Sequence, residues 1–227
     1  MPLSIISSRK DSQGGNMIIA KHIQLVAEHI LISDASFTLS TGKIYGLSAP
    51  NGSGKSTLLR SLAGLRKSDG GTISFSDLPS QTSIKEQCFY FENSSWLDSN
   101  LTGYDYLNLI NHLWKADPKH IEEAITTWQM QDFINRPIKK YSLGMKQKVV
   151  LGMYQATNAR YWLFDEPTLA LDKQSVATFL NYLSTARAKN KMVIFSSHAG
   201  DEVFHICDHI LSITNPSLFL DGVKTNG

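Results

Sequence analysis

Ala49-Pro50-Asn51-Gly52-Ser53-Gly54-Lys55-Ser56-Thr57 is the stretch on which the reading of this chain turns. It follows a short apolar run, Lys43-Ile44-Tyr45-Gly46-Leu47. It leads into Ser56 to Leu65, where Leu58, Leu59, Leu62 and Leu65 recur at helical spacing. Glycines at such a junction let successive backbone N–H groups turn inward around phosphate oxygens, and the helix that follows adds its positive end. Asn51, Gly52, Ser53, Gly54 and Thr57 then belong to the nucleotide-binding set; Lys55 reaches the β- and γ-phosphates, and the Ser56 hydroxyl ligates Mg²⁺. The strict pattern has glycine where Ala49 stands. A plain Gly/Ser-rich turn is the competing reading. The strand–loop–helix setting favours a nucleoside triphosphate site.

Downstream, Tyr161-Trp162-Leu163-Phe164 is apolar enough for a strand buried on both faces, and it ends in Asp165-Glu166-Pro167. Two carboxylates at such a strand end suit metal-assisted phosphoryl transfer, with Asp165 holding Mg²⁺ through water and Glu166 polarising the attacking water. Met192 to Ser196 reads as a second buried strand, with a helix carrying Phe179, Leu180 and Leu183 between the two. Alternation of this kind predicts an α/β fold with a mostly parallel sheet. Upstream, Ile18-Ile19, Ile23 to Val26, Ile30-Leu31-Ile32 and Ser36 to Leu39 are short β-like runs, and Thr72 to Phe75 another. Residues 100 to 135 are helical in character: Leu107, Ile110, Leu113 and Trp114 form one stripe, and Ile121, Ile125 and Trp128 a second. Asp117-Pro118 supplies an N-cap and an N1 proline between them.

The composition agrees with one globular domain. The chain has 227 residues, 42% hydrophobic and 19% charged, with 22 basic against 20 acidic side chains. A net charge of +2 makes no electrostatic case for a nucleic-acid binder. Cys88 and Cys207 form neither a disulfide framework nor a zinc-ligand spacing, and read as reduced, buried thiols. No apolar run approaches the roughly 18 residues of a membrane span, so a cytoplasmic location is expected. Met1 to Asn16 is polar, ends in Gly14-Gly15-Asn16, and reads as a flexible N-terminal extension. His198, Asp201, His205, Cys207 and His209 compete as a metal set, His205 and His209 standing at i and i+4.

Three further stretches carry a family resemblance. Tyr141-Ser142-Leu143-Gly144-Met145-Lys146-Gln147-Lys148 resembles the signature of ATP-binding cassette (ABC) ATPases, Ser142 and Gly144 matching while Leu143 and Met145 depart from the usual Gly and Gln. Ala170-Leu171-Asp172 looks like the family's D-loop, and His198 after Phe195-Ser196-Ser197 like its switch histidine. With the two motifs above, the order and spacing resemble that family over residues 17 to 213. The resemblance implies a P-loop NTPase with a mostly parallel core sheet, an antiparallel β subdomain, and an α-helical subdomain inserted at about residues 88–141, all within one domain over 17–227. It implies ATP and Mg²⁺ as cofactors and two cassettes that sandwich two ATP molecules, as a homodimer or heterodimer. Ser142 and Gly144 would cap the γ-phosphate held by the opposite subunit, and His198 would donate to the γ-phosphate. A separate membrane permease is the implied partner, placing the chain at the inner face of the cell membrane, with no nucleic acid expected.

Two further departures bear on the site. The family's Q-loop glutamine falls near Phe91-Glu92-Asn93, with Asn93 the better-registered stand-in as metal ligand and Glu92 the alternative. The aromatic residue that stacks on adenine aligns near Val26, so modest ATP affinity is expected. Leu143-Gly144-Met145 resembles cassettes of antibiotic and bacteriocin export or self-protection, which points to an exporter of a peptide or antibiotic-like compound. Trp96, Leu97 and Tyr104 are candidates to line the permease-facing groove. The alternatives are a non-transport ABC ATPase, or a weakly hydrolysing ATP-dependent clamp.

Overall fold

The computed structural model describes residues 16–78, 81–198, 200–214 and 216–222. In chain order they form β1 (Met17–Val26), β2 (Ile30–Ser40), β3 (Ile44–Ser48), α1 (Lys55–Leu62), β4 (Gly70–Phe75), α2 (Gln81–Gln87), β5 (Cys88–Phe91), α3 (Gly103–Leu113) and α4 (Lys119–Thr127). Then come α5 (Leu143–Gln155), β6 (Tyr161–Phe164), α6 (Lys173–Ala188), β7 (Met192–Ser197), β8 (His209–Thr214) and β9 (Ser217–Gly222). Apart from Asn16, the segment 1–16 read as a flexible extension lies outside the described residues.

Six strands make the core sheet in the order β5-β6-β7-β3-β8-β9, parallel from β5 through β8, with β9 returning antiparallel beside β8. Every residue of β6 and β7 is buried, which is why both read as apolar on both faces. Parallel strands finish on one edge, so the loops after β3, β6 and β7, which are neighbours in the sheet, open side by side. Ligands of parallel α/β sheets bind outside these carboxyl ends. β2, β1 and β4 make a separate antiparallel sheet. The four short runs at its start join into two long strands. Their apparent breaks are register slips in β1, where His22 has φ 51° and interrupts the alternation without ending the pairing.

Packing corrects three local expectations. α1 ends at Leu62, not Leu65: Gly64 N–H donates to the Ser61 carbonyl (3.1 Å) and Leu65 N–H to that of Arg60 (2.9 Å), a Schellman stop. Leu65 is accordingly exposed. The expected helical segment at about 88–141 begins on a strand, because Cys88–Phe91 pairs with Tyr161–Phe164 in the core sheet. A four-residue apolar run has no period long enough to separate strand from helix. Leu113 faces outward, while Leu107, Ile110, Ile121, Ile125 and Trp128 are buried against residues of α5 such as Val149 and Met153. Asp117 does cap α4, its Oδ1 accepting the Lys119 N–H at 3.0 Å.

The competing metal set is not assembled. His205 lies in a 3₁₀ turn and His209 in β8, stacked on Tyr45 (centroids 5.6 Å apart), so the two share no helix face. Among the described residues no cluster of three His, Cys, Asp or Glu side chains could hold a metal ion, and no helix is long and apolar enough to cross a membrane. Both cysteines are buried and free.

Candidate nucleotide site

A cleft of about 480 Å³ opens where β3 gives way to α1. Its floor is Asn51, Gly52, Gly54, Lys55, Ser56 and Thr57; its walls are the β1–β2 turn and the start of β2 (Ala27, Glu28, His29, Leu31) and Glu166. Gly54 has φ 103°, and a Cβ there would lie 3.1 Å from the Leu31 side chain, so the turn into α1 requires glycine. No side chain caps the N-terminus of α1, which leaves its first N–H groups facing an incoming anion. Ser53, buried beneath the loop, donates its hydroxyl to the Pro50 carbonyl (2.7 Å) and stiffens the turn. Ala49 is accommodated without its Cβ meeting the cleft: it is buried, and its carbonyl accepts from Lys55 Nζ at 3.2 Å. Lys55 also lies 3.4 Å from the Pro50 carbonyl and 3.4 Å from Glu166 Oε1. The loop carbonyls thus aim the ammonium across the cleft mouth at the acid on the opposite wall.

The two acids leave β6 in different postures. Asp165 Oδ1 accepts the Ser196 hydroxyl at 2.7 Å, and its Oδ2 lies 3.4 Å from the Tyr90 hydroxyl. Burial, and secondarily the Asp165 charge, push the Tyr90 phenol far above its ordinary range, so it stays a donor. Glu166 is turned into the left-handed region at φ 46°, its N–H donating to the same Ser196 Oγ at 2.8 Å. One residue on, the Pro167 carbonyl accepts from Gln147 Nε2 (2.9 Å) out of α5.

The remaining sequence-predicted residues lie apart from the cleft wall. Val26 does not line it; its N–H donates to Asp69 Oδ2 (2.8 Å) and its carbonyl accepts from Arg66 (2.6 Å). The aromatic side chain at the wall is instead His29. Asn93 spends its Oδ1 on the Ser95 N–H (2.8 Å), capping a local turn. Glu92 is held in a two-point ion pair by Arg60 of α1, one contact at 2.6 Å. Ser142 caps α5, accepting the Met145 N–H at 3.2 Å, while the Met145 thioether takes the Ser142 N–H at 3.4 Å. A Cβ on Gly144 would stand 2.8 Å from the Ala170 carbonyl, so the signature-like and D-loop-like segments touch there. Asp172 caps α6 through the Ser175 N–H (2.7 Å), and that bond holds its carboxyl below the ordinary range. His198 is exposed just beyond β7.

Sequence reasoning missed His29, Tyr90, Gln147 and Ser196. Gln147 and Ser196 lie inside stretches singled out for other residues, and nothing local marked either as a partner of the acids. His29 sits in a hairpin turn whose approach to the cleft depends on how the small sheet packs.

This fold, a parallel sheet with a phosphate-type loop after β3 and paired acids after β6, defines a P-loop nucleotide-hydrolysing protein. The family model described as ABC transporter matches residues 32–169, and the chain belongs to that family as an ATP-binding subunit of the ATP-hydrolysing kind. It is 28% identical over 199 residues to the ABC transporter ATP-binding protein NatA of Bacillus subtilis, covering 84% of this chain and 81% of that protein. It is 26% identical over 192 residues to the lantibiotic transport ATP-binding protein SrtF of Streptococcus pyogenes, covering 84% and 83%. A solved structure of an ATP-binding subunit of an ABC transporter superposes with TM-score 0.82 at 21% identity, over 91% of this chain and 90% of that one.

Proposed function

We propose that this subunit dimerises around ATP and drives a separate membrane permease that exports a peptide or antibiotic-like compound. The observation that carries the catalytic part is the Lys55–Glu166 pair, 3.4 Å apart across the cleft mouth. An ammonium and a carboxylate facing each other there occupy the space in which a γ-phosphate and its attacking water belong. Asn51, Gly52, Ser53, Gly54 and Thr57 form the cradle, Lys55 neutralises the β- and γ-phosphates, and Glu166 orients and deprotonates the water. Ser56 and Asp165 would hold Mg²⁺: a hydroxyl and a carboxylate are the hard oxygen donors this ion takes, and Asp165 keeps lone pairs beyond those given to Ser196 and Tyr90. Bound there, the ion would neutralise charge on the phosphate oxygens. Asn93 contributes to this set only if its carboxamide leaves the local cap. His29 replaces Val26 as the base contact. His198 and, from the opposite subunit, Ser142 and Gly144 complete the γ-phosphate shell.

Dimerisation is supported by the contact between Gly144 and Ala170, which joins two segments that each present an exposed leucine, Leu143 and Leu169. A permease contact is supported by exposed Trp96 and Tyr104 on the helical layer, where the third candidate, Leu97, is buried instead. The name of SrtF supports a lantibiotic-like cargo. The test is Glu166→Gln in the purified protein: ATP binding is retained, turnover falls by about 10²–10⁴, and ATP-dependent dimers accumulate in light scattering. Near-wild-type turnover would remove Glu166 from the role of base. Failure of the chain to co-purify with any multi-span membrane protein would remove the permease.

A further inference from the structure

The left-handed backbone at Glu166, φ 46°, is a strained conformation for a residue with a side chain. Such a turn persists only where its surroundings over-determine it, and here two side chains from outside the strand do so. Ser196 lies on the neighbouring strand β7 and is fully buried. Its bonding is unambiguous: a backbone N–H can only donate and a carboxylate only accept, so the hydroxyl takes the Glu166 N–H (2.8 Å) and gives its single proton to Asp165 Oδ1 (2.7 Å). One buried oxygen therefore ties the orientation of both acids together. On the far side Gln147, also buried, donates Nε2 to the Pro167 carbonyl (2.9 Å). Gln147 belongs to α5, the helix capped by Ser142, whereas Ser196 stands two residues before His198.

We infer that Ser196 and Gln147 are positioning residues forming a two-point clamp that sets the Glu166 carboxylate, and that Gln147 makes this setting depend on the placement of α5. The inference rests on the reading of Glu166 as the base. A helix that shifts when its N-terminus meets the opposite subunit's nucleotide would pull on the Pro167 carbonyl, one residue from the carboxylate. The clamp acts on turnover and leaves the phosphate cradle untouched, since neither side chain lines the cleft.

A double-mutant cycle tests this. Ser196→Ala should bind ATP within about threefold of wild type yet turn over about 10- to 100-fold more slowly, the usual loss for removing a partner that orients a reacting group. In the Glu166→Gln background Gln147→Met, which touches only the Pro167 carbonyl, should change the residual single-turnover rate less than about threefold because the group it positions is gone, whereas Ser196→Ala should keep only the smaller loss that comes from Asp165. With Glu166 intact, Gln147→Met, close in volume, should repeat the pattern with a smaller loss, and it decides the matter if Ser196→Ala does not fold. Equal losses in both backgrounds, full turnover in both clamp variants, or ATP affinity falling in parallel with turnover would overturn the clamp. Unimpaired turnover in Glu166→Gln alone would instead overturn the reading of the base, so the two failures are distinct.

Discussion

The cleft at the end of β3 and the N-terminus of α5 are both helix starts suited to an anion, and they differ in how far one chain completes them. At the cleft, Lys55 is buried and held by two loop carbonyls, Glu166 faces it, and Ser196 and Tyr90 bear on Asp165. Those groups are preorganised by the core sheet before any nucleotide arrives, which is how electrostatic stabilisation avoids reorganisation during reaction. At α5, Ser142 spends its hydroxyl on a cap that any helix could use, Leu143 is exposed, and His198 stands free of the cleft wall. The first site has its phosphate loop, its lysine and both acids set within one fold. The second is a surface, and in the proposed dimer it is one half of a site whose other half comes from a second copy.

The comparison breaks if the first site proves dispensable. Glu166→Gln, with its expected loss of about 10²–10⁴ in turnover, is the largest effect, measured by phosphate release beside ATP titration. Next, Gly144→Ala places a Cβ 2.8 Å from a backbone carbonyl that must then move. Passed to the dimer surface, an overpacking cost of about 1–3 kcal/mol predicts roughly fivefold or greater weakening of ATP-driven dimers in the Glu166→Gln background. ATP affinity of the single chain should stay unchanged. Matching losses in dimerisation and monomer affinity would mean that the two regions are not separate. An effect of similar size is expected at the wall: His29→Ala should weaken ATP binding about fivefold or more, by loss of stacking worth roughly 1–3 kcal/mol on aromatic platforms, with turnover at saturating ATP preserved. Val26→Ala should leave that affinity unchanged, and a reversal of the two would restore Val26 as the base contact.

The smallest expected effect sharpens the claim that the cleft side is rigid. Burial pushes the Cys207 thiol up to about 12 and the Cys88 thiol higher still, so both stay protonated at pH 8. Neither should react with a thiol reagent in the folded protein, with or without ATP, and both should react in denaturant. Labelling that appears only on adding ATP would show that the core sheet opens during the cycle.

Legibility in the sequence followed the range of the interaction. The loop from Asn51 to Thr57 and the strand ending in Asp165 and Glu166 were readable because glycine torsions, helix starts and apolar runs act over a few neighbouring residues. The helix stop at Gly64 was equally local but was overridden by the pull of Leu65 into a period. Sequence register ranks Asn93 above Glu92 as the metal-side stand-in, but it does not reveal what holds either side chain. Their states depend on Ser95 next door and on Arg60, which the fold brings across from α1. Val26 was the aligned base contact, yet the packing of the hairpin sets His29 at the cleft instead.

What the sequence determined by itself, then, is the α/β architecture, the phosphate loop, the pair of acids and the membership these imply. Each is written in residue types whose backbone and side-chain chemistry works locally. What only the tertiary structure decided is who holds whom: Ser196 bridging Asp165 and Glu166, Gln147 gripping Pro167 from another helix, Arg60 engaging Glu92, and His29 taking the wall. Those are hydrogen bonds and contacts between elements far apart in the chain. Their geometry exists only once β7 lies between β6 and β3, and α5 packs close enough to reach the turn after β6.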